Sequence, residues 1–245
     1  MPEPIIQPEI LERFTYRGVM LYVNDIQNGP SDDFSTAELR RAETEVRAKF
    51  GDGKASDHPH MMAWREAFSN FGLKPSKFLN SSEAMISRVL KGGELPTINW
   101  LTDIYNALSV RHAFPCGGED WDRAVGPQTL RFARGDEPFD TSKDGETVID
   151  HPQAGEVVWM DDAGVTCRAW NWRQCVRTRL IEHTTNAYFV LDSLEPYPLA
   201  SLLAAADELK GFLRQRSPEC QIQRVLIGGP DDLQAQVIGG RVQTS

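Results

Sequence analysis

Cysteine is scarce in this chain, with four residues in 245, and Cys116, Cys167, Cys175 and Cys220 form no C-x-x-C pair. No histidine cluster lies near any of them. That spacing argues against zinc and against dithiol redox chemistry, and leaves free thiols as the expectation. The five histidines have no spacing that suits a metal site, a Ser-His-Asp arrangement or a Cys-His pair. No stretch approaches the roughly 20 apolar residues that a membrane helix requires. The N-terminal MPEPIIQPEILERF lacks a basic region followed by an apolar run. A cytoplasmic protein without membrane contact, metal or cofactor is therefore expected. Positive charge is also short: 26 Lys and Arg stand against 35 Asp and Glu, for a formal net charge of −9. Such a chain does not hold a polyanion by its overall charge, so any nucleic-acid contact must come from a local patch.

One patch is visible. Residues 167–179, CRAWNWRQCVRTR, bring Arg168, Arg173, Arg177 and Arg179 together with Trp170 and Trp172 and include no carboxylate. Two readings stay open. In one, the guanidinium groups meet phosphates and an indole stacks on an unpaired base. In the other, the tryptophans are core residues, Arg173 pairs with a carboxylate such as Asp192, and the remaining arginines form a solvated face.

Periodicity separates a helical front from a mixed back. Ser35 and Glu38 have capping-box spacing, and Leu39, Ala42, Val46 and Phe50 follow on one stripe, which predicts a helix over 36–50. Asp57 as cap and Pro59 in the first turn predict a second helix, with Trp64, Phe68 and Phe71 inward. Ser82 and Glu83 open a third, which Gly92-Gly93 stops, and a fourth starts near Asn99 with Leu101, Ile104, Tyr105 and Leu108 buried. Residues 129–134, 156–160, 165–170 and 187–192 read as strands, with Asp161 to Gly164 as a hairpin turn. Residues 198–216 return to helix. The fold class is α+β. No internal repeat appears.

Several short signatures occur in an order that resembles one family. Lys74-Pro75-Ser76-Lys77, Asn80 to Ala84, Leu95 to Asn99, Asp103-Ile104-Tyr105-Asn106, Pro115 to Asp120 and Trp170-Asn171-Trp172-Arg173-Gln174 together look like the free-standing B3/B4 domain proteins. These in turn resemble the editing module of the bacterial phenylalanyl-tRNA synthetase β subunit. The resemblance implies a three-layer α+β fold with mixed sheets, a helical N-terminal region, a C-terminal helix and a pocket between its halves. It also divides the chain into residues 1–56 as an extension packed on the core, 57–195 as the B3/B4-like core, and 196–245 as a helix and strand completing the same domain.

The same resemblance suggests site residues. The synthetase pattern runs Asp-Val-Thr-Asn-Tyr and later His-Ala-Phe-Asp, with the final Asp fourteen positions after the Asn. Here that register joins Asn106 to Asp120, sets Gly117 at the histidine position and Tyr105 at the threonine position. Asn106, Asp120, Gly117, Gly118 and Asp192 are the implied catalytic set. Asn171, Trp172, Arg173, Gln174 and Tyr105 would bind substrate, and Arg168, Arg177 and Arg179 would meet the tRNA. Hydrolysis of an aminoacyl ester needs a placed water, donors for the developing oxyanion and exclusion of the wrong side chain, but no strong protein nucleophile; Asp120 or Asp192 would bind the α-ammonium or orient the water. The expected function is trans-acting removal of a mischarged amino acid from tRNA. Two other readings stand beside it: a non-catalytic binder of tRNA or of an amino acid, and an accessory partner of a synthetase. The length and the lack of an ATP-binding signature argue against a complete synthetase.

Overall fold

A computed structural model describes residues 3–228. From the N-terminus these form β1 (Ile5–Ile6), α1 (Pro8–Arg13), β2 (Tyr16–Asn24), α2 (Asp33–Phe50), α3 (Pro59–Asn70), α4 (Ser81–Leu90) and α5 (Trp100–His112). The strand-rich part follows with β3 (Cys116–Asp120), β4 (Thr129–Phe132), β5 (Phe139–Lys143), β6 (Glu146–Asp150), β7 (Val157–Asp161), β8 (Gly164–Arg168), β9 (Arg173–Gln174) and β10 (Ala187–Leu194). Helix α6 (Leu199–Arg216) and strand β11 (Gln221–Ile227) complete it.

A four-stranded antiparallel sheet, in the order β11-β2-β10-β3, lies at the centre. The alternation of its inner strands explains the layering. Val19, Leu21 and Val23 of β2, with Phe189 and Leu191 of β10, point to a core shared with Leu101, Ile104 and Leu108 of α5 and Leu202, Leu209 and Leu213 of α6. Tyr16, Met20 and Tyr22, with Tyr188 and Leu194, point the other way, towards Trp64 and Phe68 of α3 and the strand residues Leu130, Val157 and Trp159. Those strands belong to a mixed sheet, β1-β4-β7-β8-β9, in which β1 and β4 run parallel. Helices, central sheet and second sheet make three layers of an α+β fold.

Several expectations change. Residues 1–56 are no mere extension, because β2 is an inner strand between β10 and β11. It reads poorly in sequence because Gly18 to Val23 is buried on both faces and shows no polar alternation. Asp32, not Ser35, caps α2: its side chain accepts from the Ser35 amide at 2.8 Å, while Ser35 Oγ accepts from the Asp32 amide at 3.1 Å. His58 rather than Asp57 caps α3, and Asn80 caps α4 by accepting from the Glu83 amide at 2.9 Å. Residues 115–120, not read as a strand in the sequence, contain the edge strand β3. Helix α6 packs on the central sheet and β11 is its edge strand beside β2; residues 229–245 lie outside the described residues.

His60 ties three elements together. Its Nδ1 lies 2.9 Å from the Ala113 carbonyl, and its Nε2 accepts from Trp64 Nε1 at 2.9 Å and from the Leu194 amide at 3.2 Å. This arrangement uses the neutral ring protonated on Nδ1. Burial, with the opposing pull of the Ala113 carbonyl, lowers its pKa to about 4. An unfolded chain therefore takes up the proton first, so this contribution is complete above about pH 6.5 and is lost as pH falls towards 4. In urea unfolding, His60→Gln should be less stable than the parent at pH 7.5. The gap should close by roughly 1.4 kcal/mol per pH unit below 6.5; a gap independent of pH would refute the assignment.

Candidate functional site

After β8 the chain turns back through Ala169 and Trp170, whose φ values of 44° and 63° lie in the left-handed region. Two such residues cost on the order of 1 to 3 kcal/mol each. The Trp170 indole offsets this. It is fully buried and meets Phe14 and Tyr16 at 5.1 Å and Trp64 at 5.2 Å between ring centroids, all edge-to-face. An indole removes about 150–250 Å² from water, which contributes roughly 4–6 kcal/mol. The Glu156 carboxylate fixes the same turn by accepting from the Ala169 amide at 2.8 Å.

This turn carries Asn171 to Gln174 over a cavity of about 170 Å³ between the two sheets. Its walls come from Ser81 and Met85 of α4, Tyr105 and Asn106 of α5, Cys116, Gly117 and Glu119 of β3, and Val190 and Asp192 of β10. Trp159 and Cys167 close the side formed by the second sheet. Asn106, Gly117, Tyr105, Asn171, Trp172, Arg173, Gln174 and Asp192 thus share one hollow.

Strand parity excludes two of the expected residues from it. A Cβ added at Gly117 would sit 3.1 Å from Gln174 Nε2, on the cavity side, whereas one at Gly118 would strike the Phe189 ring at 2.8 Å, in the other core. Gly118 contributes only its carbonyl, which accepts from Gln174 Nε2 at 3.0 Å. Asp120 shares the parity of Gly118. Its carboxylate accepts from Thr184 Oγ1 at 2.7 Å and from the Asp122 amide at 3.1 Å, and so caps a turn outside the cavity. Glu119, one position earlier, faces inward in its place.

The cavity therefore holds two carboxyl groups, Glu119 and Asp192, which are 4% and 3% exposed. Tyr16 Oη donates to Asp192 Oδ1 at 2.7 Å, and Asn171 Nδ2 donates to Oδ2 at 3.3 Å. Thr178 Oγ1 and Tyr188 Oη both donate to Glu119 Oε2, at 2.5 and 2.7 Å. Burial raises the pKa of each acid to about 7, against the lowering effect of these donors. Trp159 Nε1 and Asn171 Oδ1 are buried polar atoms without a hydrogen-bond partner among the described residues.

The arginines divide. Arg168 makes a two-pronged pair with Glu156, at 3.0 and 2.9 Å, and reaches Asp150 at 2.7 Å. Arg177 grips Asp161 with two bonds of 2.8 Å. Both were expected to face tRNA, and both instead neutralise buried carboxylates that are distant in sequence. Arg173 and Arg179 are exposed and have no carboxylate partner among the described residues; Arg173 lies 4.6 Å over the Trp172 ring, whose edge packs on Phe78. Asp192 is not the partner of Arg173. Among the described residues no group of three or more His, Cys, Asp or Glu could hold a metal ion. No described helix is long and apolar enough to cross a membrane.

A hollow lined by amides, indoles and two donor-held acids thus lies between the two sheets of this α+β chain. Residues 63–205 match the B3/4 domain family, and the chain belongs to it. Among solved structures it is similar to an N-terminal fragment of the phenylalanyl-tRNA synthetase β subunit from Pyrococcus horikoshii. The identity is 11% and the TM-score 0.47, over 90% of this chain and 50% of that one. The chain thus corresponds to about half the length of that fragment. No curated protein matches it in sequence.

Glu156 is completely buried and Arg168 is nearly so. Removing the guanidinium leaves that carboxylate unpaired, a defect worth about 3–5 kcal/mol. Arg168→Met should lose stability of that order in urea unfolding. A variant as stable as the parent, with weakened RNA binding, would restore the phosphate role.

Proposed function

We propose that the cavity receives the aminoacyl end of a charged tRNA and that the protein hydrolyses its ester. The observation that carries this reading is the charge of the hollow: two buried carboxyl groups, with no cationic side chain among its lining residues except Arg173 at the exposed rim. Such an interior attracts an ammonium group and repels a carboxylate. An amino acid joined as an ester keeps its α-ammonium and has lost its carboxylate charge, so it suits the interior better than the free amino acid. Membership of the B3/4 family supports the same choice through the likeness of that family to a synthetase editing module. The volume supports it too, because about 170 Å³ falls below the roughly 300–1,000 Å³ of pockets for larger ligands and suits one amino-acid side chain.

In this reading Asp192 holds the α-ammonium, since Tyr16 and Asn171 fix both of its oxygens. Asn106, on α5 at the wall, offers an amide to the ester carbonyl and stabilises the charge that develops there when water attacks. The water adds to the carbonyl carbon, the bond to the ribose oxygen breaks, and that oxygen takes a proton from the water to become the free hydroxyl. Outside, Arg173 and Arg179 meet phosphates of the acceptor end, and Trp172 offers apolar surface for its last base. Trp170 takes no part in stacking because it is wholly buried.

The test is a deacylation panel of correctly and wrongly charged tRNAs. One or more should lose the ester at least a hundredfold faster than in buffer, and Asn106→Ala and Asp192→Asn should each lower that rate by tenfold or more. Binding of uncleaved tRNA with the same variants unchanged would favour the non-catalytic reading. Arg173→Ala with Arg179→Ala should weaken tRNA binding and lower the salt slope by about 1 per lost contact; an unaltered slope would remove these arginines from the interface.

A further inference from the structure

Glu119 is not used by the function proposed above, yet it faces the same cavity. Its Oε2 is held by two hydroxyl donors, and its Oε1 has no hydrogen-bond partner among the described residues. The two acids are far apart. Glu119 pairs in register with Tyr188, and Asp192 lies four residues further along β10; at about 3.3 Å per residue this is roughly 13 Å of strand. They are also anchored by different elements, Asp192 by β2 and the Asn171 turn, Glu119 by Thr178 and by β10. One ammonium group bridges carboxylates only when both lie within about 3 Å of it. An α-ammonium bound at Asp192 therefore leaves Glu119 unserved. Between the two ends Gly117 faces Val190 across the ladder, with Trp159 also in the wall, a passage that suits methylene groups. The unpartnered Trp159 Nε1 and Asn171 Oδ1 mark this interior as built for a ligand with polar atoms.

Resting on the ester-hydrolysis reading, we infer that the acyl group taken by this cavity is that of a basic amino acid, its side-chain ammonium on Glu119 and its α-ammonium on Asp192. A cation at Glu119 stabilises the ionised carboxylate, which burial alone disfavours; burial holds its pKa near 7 in the empty cavity. A hydrocarbon side chain of equal length fills the passage but leaves a buried acid unpaired. Glu119 is thus a specificity-determining residue, and the ester chemistry itself does not depend on it.

Lysinamide and norleucinamide test this directly, because they differ at the side-chain amine, carry no carboxylate and are not esters. Calorimetry on the unaltered full chain should show lysinamide binding at least tenfold tighter than norleucinamide. In Glu119→Gln that preference should fall to within threefold, with norleucinamide affinity retained. Equal binding of the two amides by the parent, tighter binding of norleucinamide, or a preference that survives in Glu119→Gln overturns the inference. The parent comparison decides the matter even if the variant does not fold. Esters of apolar amino acids cleaved from tRNA, with equal amide binding, would refute the basic side chain and leave the hydrolase standing. No amide binding together with no deacylation would remove both.

Discussion

The cavity depends on one carboxylate. Glu156, fully buried just before β7, accepts from Arg168 and from the Ala169 amide, and so holds the end of β8 where the chain enters two left-handed residues. That reversal returns the chain as β9 beside β8 in the second sheet, with Asn171 and Gln174 reaching over to the central one. With it, the Asn171 carbonyl receives the Ser81 amide at 3.0 Å, Asn171 Nδ2 reaches Asp192, and Gln174 reaches Gly118. Three contacts from one short turn thus join α4, β10 and β3 around a common space. The arginine-rich segment is in this respect first a structural device. Its charge answers acids that lie elsewhere in the sequence, which is why it looks uncompensated when only its own thirteen residues are considered.

Two charge arrangements coexist in the molecule. Arg168 and Arg177 sit against Glu156 and Asp161 in short ion pairs of 2.9 and 2.8 Å. Glu119 and Asp192 have no cation bonded to them among the described residues. Hydroxyl and amide donors hold them, and these are too weak to cancel the burial of a full charge. Under the proposed function, cavity acids to which no arginine is bonded take up a cation that arrives from outside. Under the proposed function Arg173 and Arg179 are the members of the cluster left for a polyanion, and two phosphate contacts would give only weak, salt-sensitive affinity to a chain of charge −9. Discrimination must then come from the interior, where each ion pair formed is shielded from solvent.

Much of the architecture was legible because it follows local rules. Asn99, with Leu101, Ile104, Tyr105 and Leu108, gives α5, and Asp161 to Gly164 gives the β7–β8 turn, since a cap, a stripe and a two-residue loop are coded within a few positions. What was hidden depends on long-range pairing. Strand β2 has no alternation to detect, because both of its faces are core. Strand β3, CGGED, has almost no strand propensity, and only its ladder with β10 makes it one. The family register joined Asn106 to Asp120, whereas the strand assigns Gly117 and Glu119 to one face and Asp120 to the other. The inward-facing Gly117 was named from the family register, so two-residue periodicity alone would have found Glu119.

The glycine at 117 marks a position where the resemblance to the synthetase pattern is incomplete. Where that register calls for a histidine, this chain has no side chain, and the space beside it is filled from across the sheet gap by Gln174, whose amide lies 3.1 Å from where a Cβ would be. Gln174 is in turn locked to the Gly118 carbonyl. A titrating imidazole is thereby replaced by a neutral amide that neither gains nor loses a proton near neutral pH. The groups in the cavity that do titrate there are the two acids, one at each end. Proton balance inside the hollow thus belongs to carboxyl groups that a bound cation would ionise, so that binding the ammonium and setting the charge state of the cavity are one event.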